Sequence, residues 1–158
     1  MKNKKLFRIS IFLIISIILY LTAIDSNTNA FNNIITFLSI ASGFSITSLS
    51  IIANSSFSKK LYKIEDKNDN SKTLLHILVK KFHSSLIIFI LTISMILFFL
   101  LFEKSLSNTT FYMKWFDIKV LYVFTSIILT LTIYAFYFFI SLLNIFTKYV
   151  IKSATNNS

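Results

Sequence analysis

The sequence contains no cysteine, no proline and only one glycine in 158 residues. Without cysteine, the chain can form no disulfide, no thiolate metal site and no cysteine nucleophile. Without proline, its helices are expected to run straight, unlike the interrupted helices that form the substrate sites of many transporters. The sequence therefore favours continuous helices and excludes thiol-based chemistry.

Four long apolar segments contain no charged residue and no histidine. No Asp, Glu, Lys, Arg or His occurs within residues 9–24, 34–53, 84–102 or 120–147. Proton relays, coupled transporters and voltage sensors use ionisable groups inside the membrane. An intramembrane hydrolase would likewise need groups for acid–base catalysis. The sequence therefore disfavours a pump, an antiporter or an enzyme, and it contains no nucleotide-binding or metalloprotease motif.

Hydrophobic residues make up 55% of the chain, with 18 phenylalanines among them. A hydrocarbon core of about 30 Å needs about 20 helical residues. Four segments meet this length, so the prediction is an all-α, multi-pass membrane protein with a single four-span domain. The predicted spans are residues 6–24, 34–53, 84–102 and 118–147.

The distribution of positive charge predicts how these spans are oriented. Thirteen of the 16 Lys and Arg residues fall in the N-terminus, the loop 55–83 and the C-terminus. The positive-inside rule places this side, and hence both termini, in the cytoplasm. Because the composition is typical of AT-rich bacterial genes, we expect a bacterial cytoplasmic (inner) membrane protein. A cleaved signal peptide ending near Ala30 is the alternative interpretation of the basic start.

The loop 55–83 is predicted to form a short cytoplasmic helical hairpin between the second and third spans. Residues 67–70, Lys-Asn-Asp-Asn, favour a turn. Ser71 or Thr73 could cap the second helix of the hairpin. Leu74, Leu75, Leu78 and Phe82 give that helix an apolar face.

Small and polar side chains recur at helical spacing in two of the spans. The first polar stripe consists of Ser39, Gly43, Thr47, Ser50 and Asn54, and the second consists of Ser126, Thr130, Tyr134, Tyr137, Ser141 and Asn144. Spans in lipid pack through small and hydroxyl-bearing residues. We therefore expect the second and fourth spans to meet in the interior and copies of the chain to associate as a homo-oligomer. The sequence leaves open the alternative that the stripes line a polar path.

Basic residues on the loop suggest a docking surface. They are Lys59, Lys60, Lys63, Lys80 and Lys81. Anionic lipid headgroups and a cytosolic protein are both expected partners, whereas the acidic pair Glu65-Asp66 makes nucleic acid an unlikely one. His76 and His83 lack further ligands nearby, so no metal or cofactor is predicted and both are interpreted as interfacial histidines.

These observations predict a small, non-enzymatic inner-membrane protein, an accessory or sensor subunit that works with a cytosolic partner. Phage defence or immunity is the expected setting. The alternatives are an oligomeric, holin-like protein that depolarises the membrane, and a small permease subunit. The subunit and holin-like hypotheses differ in the role of the polar stripes, which is packing in the first and conduction in the second. Packing and conduction require the same residues, so both hypotheses stay open at this point.

Overall fold

The computed structural model describes residues 2–22, 27–66, 69–113 and 116–155. In chain order the elements are α1 (Lys2–Leu21), α2 (Thr28–Ala53), α3 (Ser56–Tyr62), β1 (Glu65–Asp66), β2 (Asp69–Thr73), α4 (Leu74–Ser107), β3 (Thr110–Met113), β4 (Phe116–Lys119) and α5 (Val120–Thr155). Most of these residues are helical, which confirms the all-α prediction at the level of fold class.

Within the described residues, three helices are long and apolar enough to cross a membrane. The candidate spans are Thr28–Ala53, Leu74–Leu106 and Val120–Ile151. They contain the predicted spans 34–53 and 84–102 and nearly all of 118–147. Long apolar runs without proline or charge favour such continuous helices.

The predicted first span is not confirmed. Helix α1 ends at Leu21, and its apolar part among the described residues is Ser10–Leu21. The segment Ser10–Leu21 alone is shorter than the about 20 residues that a span needs. The last two residues of the predicted span, 23 and 24, lie outside the described residues.

The predicted helical hairpin is not confirmed either, because a β-hairpin occupies its centre. Glu65 pairs with Thr73 in an antiparallel ladder. This stretch is rich in Asn, Asp and Ser, which disfavour helix because their side chains compete for backbone hydrogen bonds. The first two residues of the predicted turn, 67 and 68, lie outside the described residues. Helix α4 then begins directly after Thr73.

A second β-hairpin precedes α5. Strands β3 and β4 pair in antiparallel register, from Thr110 opposite Lys119 to Met113 opposite Phe116. Residue Ile118, the predicted start of the fourth span, therefore belongs to β4, and the helix begins two residues later at Val120.

Most buried positions of the long helices follow heptad spacing. On α4 they are Phe82, Ser85, Phe89, Thr92, Ile96 and Phe99, and on α2 they include Leu38, Ala41, Ser45, Ser48 and Ile52. Alternating steps of three and four residues keep such positions on one face of a gently supercoiled helix. The other faces expose large apolar side chains, such as Ile90 and Leu101, as lipid contact requires.

The chain divides into two compact units, each with its own core. Met1–Thr36 and Leu91–Tyr134 form the first unit, in which Phe31 packs edge-on against Phe99 with ring centroids 5.3 Å apart. Ile96 and Ile128 complete that cluster. Phe37–Ile90 and Ala135–Ser158 form the second unit, whose core cluster contains Ile52, Phe82, Leu142 and Tyr149.

Candidate functional site: the first polar stripe and a basic groove

All five residues of the first polar stripe are exposed. A Cβ atom built on Gly43 would meet no atom within 4 Å. The buried face of α2 lies on the opposite side of the helix, where Leu38, Ser45 and Ile52 are fully buried. The first polar stripe therefore lies outside the buried face of α2 within one chain, and its role in packing stays a prediction.

Phenylalanines form the observed contact between α2 and α5 in the second unit. Phe37 stacks on Phe136 with ring centroids 4.4 Å apart, and it meets Phe139 edge-on. Phe44 packs edge-on against Phe139 and Phe146, at 5.8 and 5.6 Å. The two helices thus meet as predicted, and aromatic rings on both helices contribute to the contact, beside Ile52 and Leu142 of the core cluster.

Hydroxyl groups on α2 are satisfied within their own helix. The Ser42 hydroxyl donates to the Leu38 carbonyl at 2.8 Å, and the Ser45 hydroxyl donates to the Ala41 carbonyl at 2.7 Å. Such bonds to the preceding turn remove the need for a polar partner on a neighbouring helix. Hydroxyl groups therefore do not decide which face of α2 is buried.

The second polar stripe is buried at its start and exposed towards its end. Ser126 and Thr130 are buried, and each donates to a carbonyl of α5 itself, at 2.9 and 2.7 Å. Tyr134 and Ser141 are half-buried, whereas Tyr137 and Asn144 are exposed. The residues of the second polar stripe therefore do not share one degree of burial along α5.

Buried hydroxyl residues that sequence reasoning missed lie on the heptad positions. They include Ser48, Ser85, Thr92, Thr125 and Thr132. Among the described residues, the Thr125 hydroxyl is buried without a hydrogen-bond partner. The heptad spacing on α2 and α4 is the signal that could have identified this face in advance.

Two adjoining cavities, of about 400 and 450 Å³, lie where α3 approaches the first turns of α4. Ser58, Lys59, Tyr62, Lys63 and Leu75 line one of them. Tyr62, Leu75, His76, Val79, Lys80 and His83 line the other. Because the cavities share Tyr62 and Leu75, we treat them as one site, the basic groove.

The local fold places α3 beside α4. The buried Ser58 hydroxyl lies 3.0 and 2.8 Å from the carbonyl oxygens of Ala53 and Ser55, which fixes the start of α3 against the end of α2. The Leu74 N–H donates to the Ile64 carbonyl at 2.9 Å and closes the loop at the other end. A buried Leu61 anchors α3 between these points.

One face of α4 forms a wall of the groove. His76, Lys80 and His83 follow one another at steps of four and three residues, so they lie on the same side of the helix. The His76 ring lies 6.0 Å from the Tyr62 ring, measured between centroids, and its Nδ1 is 2.8 Å from the Thr73 hydroxyl. Thr73 directly precedes α4, but its hydroxyl contacts the His76 ring, so the predicted cap stays a prediction.

The groove separates the predicted docking lysines into two groups. Lys59, Lys63 and Lys80 line it, whereas Lys60 and Lys81 are exposed outside it. None of the described lining residues is acidic. Sequence reasoning identified these lysines but missed Tyr62 and the histidines as parts of one site, because only the loop closure brings them together.

Comparison with known protein families, with curated proteins and with solved structures finds no match to this chain. Among the described residues, no group of three His, Cys, Asp or Glu side chains is placed to hold a metal ion. The chemistry of the groove therefore depends on its lysines, its two histidines and its apolar floor.

Proposed function

We propose that this chain is a non-enzymatic, self-associating subunit of a bacterial inner-membrane assembly that binds a cytosolic protein through residues 55–83. In this proposal α1 is a fourth span, and both termini lie in the cytoplasm with 13 of the 16 Lys and Arg residues. The observation that carries the proposal is the exposure of the first polar stripe on a helix long enough to span a membrane.

The exposed stripe supports self-association. Small side chains on this face let a second helix approach closely, which is how spans in lipid pack against each other. The open space at Gly43 allows another backbone to approach. A second copy of the chain offers the same small face, so two stripes can pack symmetrically against each other.

The exposed charged residues within 55–83 support a protein partner. Lys60 and Lys81 are exposed outside the groove, and Glu65 is exposed at the start of the hairpin. Surfaces that mix both signs of charge fix orientation and partner choice in protein complexes. A uniformly basic surface would instead be suited to a polyanion.

Co-purification of two differently tagged copies, expressed with the adjacent genes, tests both parts of the proposal. We expect each tag to recover the other and to retain a cytosolic protein, which Lys60→Glu/Lys81→Glu releases without separating the tags. Separate recovery of the two tags would contradict self-association. The absence of any protein sensitive to this variant would contradict the docking role. Phage plating on the same strains tests the defence setting.

Pore formation is the second candidate, because Thr47 and Asn144 are both exposed and could face water in an oligomer. This function predicts that induced expression depolarises the membrane and that Thr47→Leu/Asn144→Leu abolishes the leak. An assembly subunit predicts an unchanged membrane potential with either protein. A potential-sensitive dye therefore separates the two functions.

A further inference from the structure

We propose that the basic groove holds the headgroup of an anionic phospholipid, whose acyl chains extend along an exposed apolar face of α4. This inference rests on the proposed function in one respect, namely that residues 55–83 lie at the cytoplasmic surface of the membrane. It adds a defined lipid site to the general attraction that basic residues have for anionic membranes.

The charge of the groove suits a phosphate. Lys59 and Lys63 line one of its two cavities, and Lys80 lines the other. Lysine ammonium groups bind phosphate oxygens through charge-assisted hydrogen bonds. No acidic side chain among the described lining residues competes for these ammonium groups, and His76 and His83 add further nitrogen atoms.

The floor of the groove is apolar. Leu75 and the Tyr62 ring belong to both cavities, and Val79 lines one of them. Val79 and Tyr62 remain exposed, at 42% and 59% of their surfaces. A ligand with both an anionic and an apolar part would cover this surface, whereas a free phosphate ion would leave it open to water.

The α4 face that lines the groove continues as an apolar surface into the predicted span 84–102. His83, Ile87 and Ile90 follow at steps of four and three residues, on the same side of the helix as Lys80. Ile87 and Ile90 are 51% and 59% exposed. At about 1.5 Å per residue, Ile90 lies about 10 Å along the helix from His83.

The order of residues along this face of α4 matches the order of headgroup and acyl chains in a phospholipid. Cationic residues come first and exposed aliphatic residues follow on one helix face, as a headgroup is followed by its acyl chains. An acidic peptide from a cytosolic partner would use the lysines but not Ile87 or Ile90. We therefore assign the site to a lipid.

Native mass spectrometry of the full chain in detergent, titrated with dioleoylphosphatidylglycerol, tests the site. Two variants are matched in charge, and each removes one lysine from α3 and one from α4. Lys59→Gln/Lys80→Gln alters the groove, and Lys60→Gln/Lys81→Gln alters exposed lysines outside it. We expect about 30-fold weaker binding for the groove variant, and less than about threefold for its control.

Several results would overturn the lipid site. Equal losses for the two variants would mean diffuse electrostatic attraction. Equal affinity for dioleoylphosphatidylcholine would mean that the groove does not select lipids by the charge of the headgroup. Equal affinity for soluble glycerophosphoglycerol would mean that the acyl chains do not contribute to binding. Displacement of the lipid by the captured cytosolic protein would assign the groove to that protein. Because the tag experiment measures self-association independently, loss of the lipid site would leave that result unchanged.

Discussion

Gly43 and Ser45 are only two residues apart on α2 but face opposite environments. Ser45 is fully buried and donates its hydroxyl to the Ala41 carbonyl, whereas a Cβ at Gly43 would meet nothing within 4 Å. Successive helical residues are rotated by about 100°, so two steps carry the chain to the other side. The small residues of α2 therefore serve two faces, one inside the chain and one outside it.

Gly43→Leu and Ser45→Leu should separate folding from self-association. Leucine at Gly43 enters open space, so the free energy of unfolding in detergent should not fall, but the recovery of a second tagged copy should. Leucine at Ser45 overpacks a buried position and should cost roughly 1 to 3 kcal/mol. Denaturant titration together with two-tag co-purification measures both effects.

The opposite pattern would contradict this assignment of faces. If Gly43→Leu destabilised the monomer as much as Ser45→Leu, then the first polar stripe would belong to the interior. Gly43→Ala is the matched conservative variant, and it should retain association because alanine remains small enough for close packing.

Phe37 and Phe136 should be energetically coupled. Their rings are stacked with centroids 4.4 Å apart, and such pairs contribute roughly 0.5 to 1.5 kcal/mol beyond area burial. A double-mutant cycle with leucine at each position measures this coupling as the departure from additivity. Additive losses would show that the contact between α2 and α5 does not depend on this pair.

Thr125→Val should stabilise the chain by about 1 kcal/mol, because the buried hydroxyl has no partner and valine preserves the shape. Thr130→Val is the matched control, since its hydroxyl donates to the Ser126 carbonyl at 2.7 Å. The control should give no increase in the free energy of unfolding. Equal changes in the two variants would mean that the Thr125 hydroxyl is satisfied in the folded protein.

The length of the apolar segments predicted the long helices well, because such segments are recognised from local composition alone. Residues 34–53 and 84–102 lie within single helices, and the start of α5 differs from prediction by two residues. The buried face of α2 was not predictable from small residues, because Ser45 and Ser48 lie inside and Ser39 and Gly43 lie outside. The heptad pattern distinguishes these faces, since it reflects the geometry of helix packing.

The groove depends on contacts that the sequence does not reveal. Tyr62 and His76 are separated by the β1–β2 hairpin, and the bond from Leu74 to Ile64 closes the loop that brings them together. Local patterns identified the lysines on each side, but a turn rich in Asn and Asp was equally compatible with a helical or a β-hairpin. The shape of the groove depends on which of these two hairpins forms.

Disulfide cross-linking in native membranes is the measurement that bears on self-association through α2 without purification. The chain has no cysteine, so each single-cysteine variant along residues 39–54 reports on one position without background. We predict dimer formation at Ser39, Gly43, Thr47 and Ser50 and none at Ala41, Ser45 or Ser48, with exposed Ile140 on α5 as the control. Cross-linking that lacks this periodicity, or that is equally strong at Ile140, would mean that the first polar stripe does not form the interface between copies.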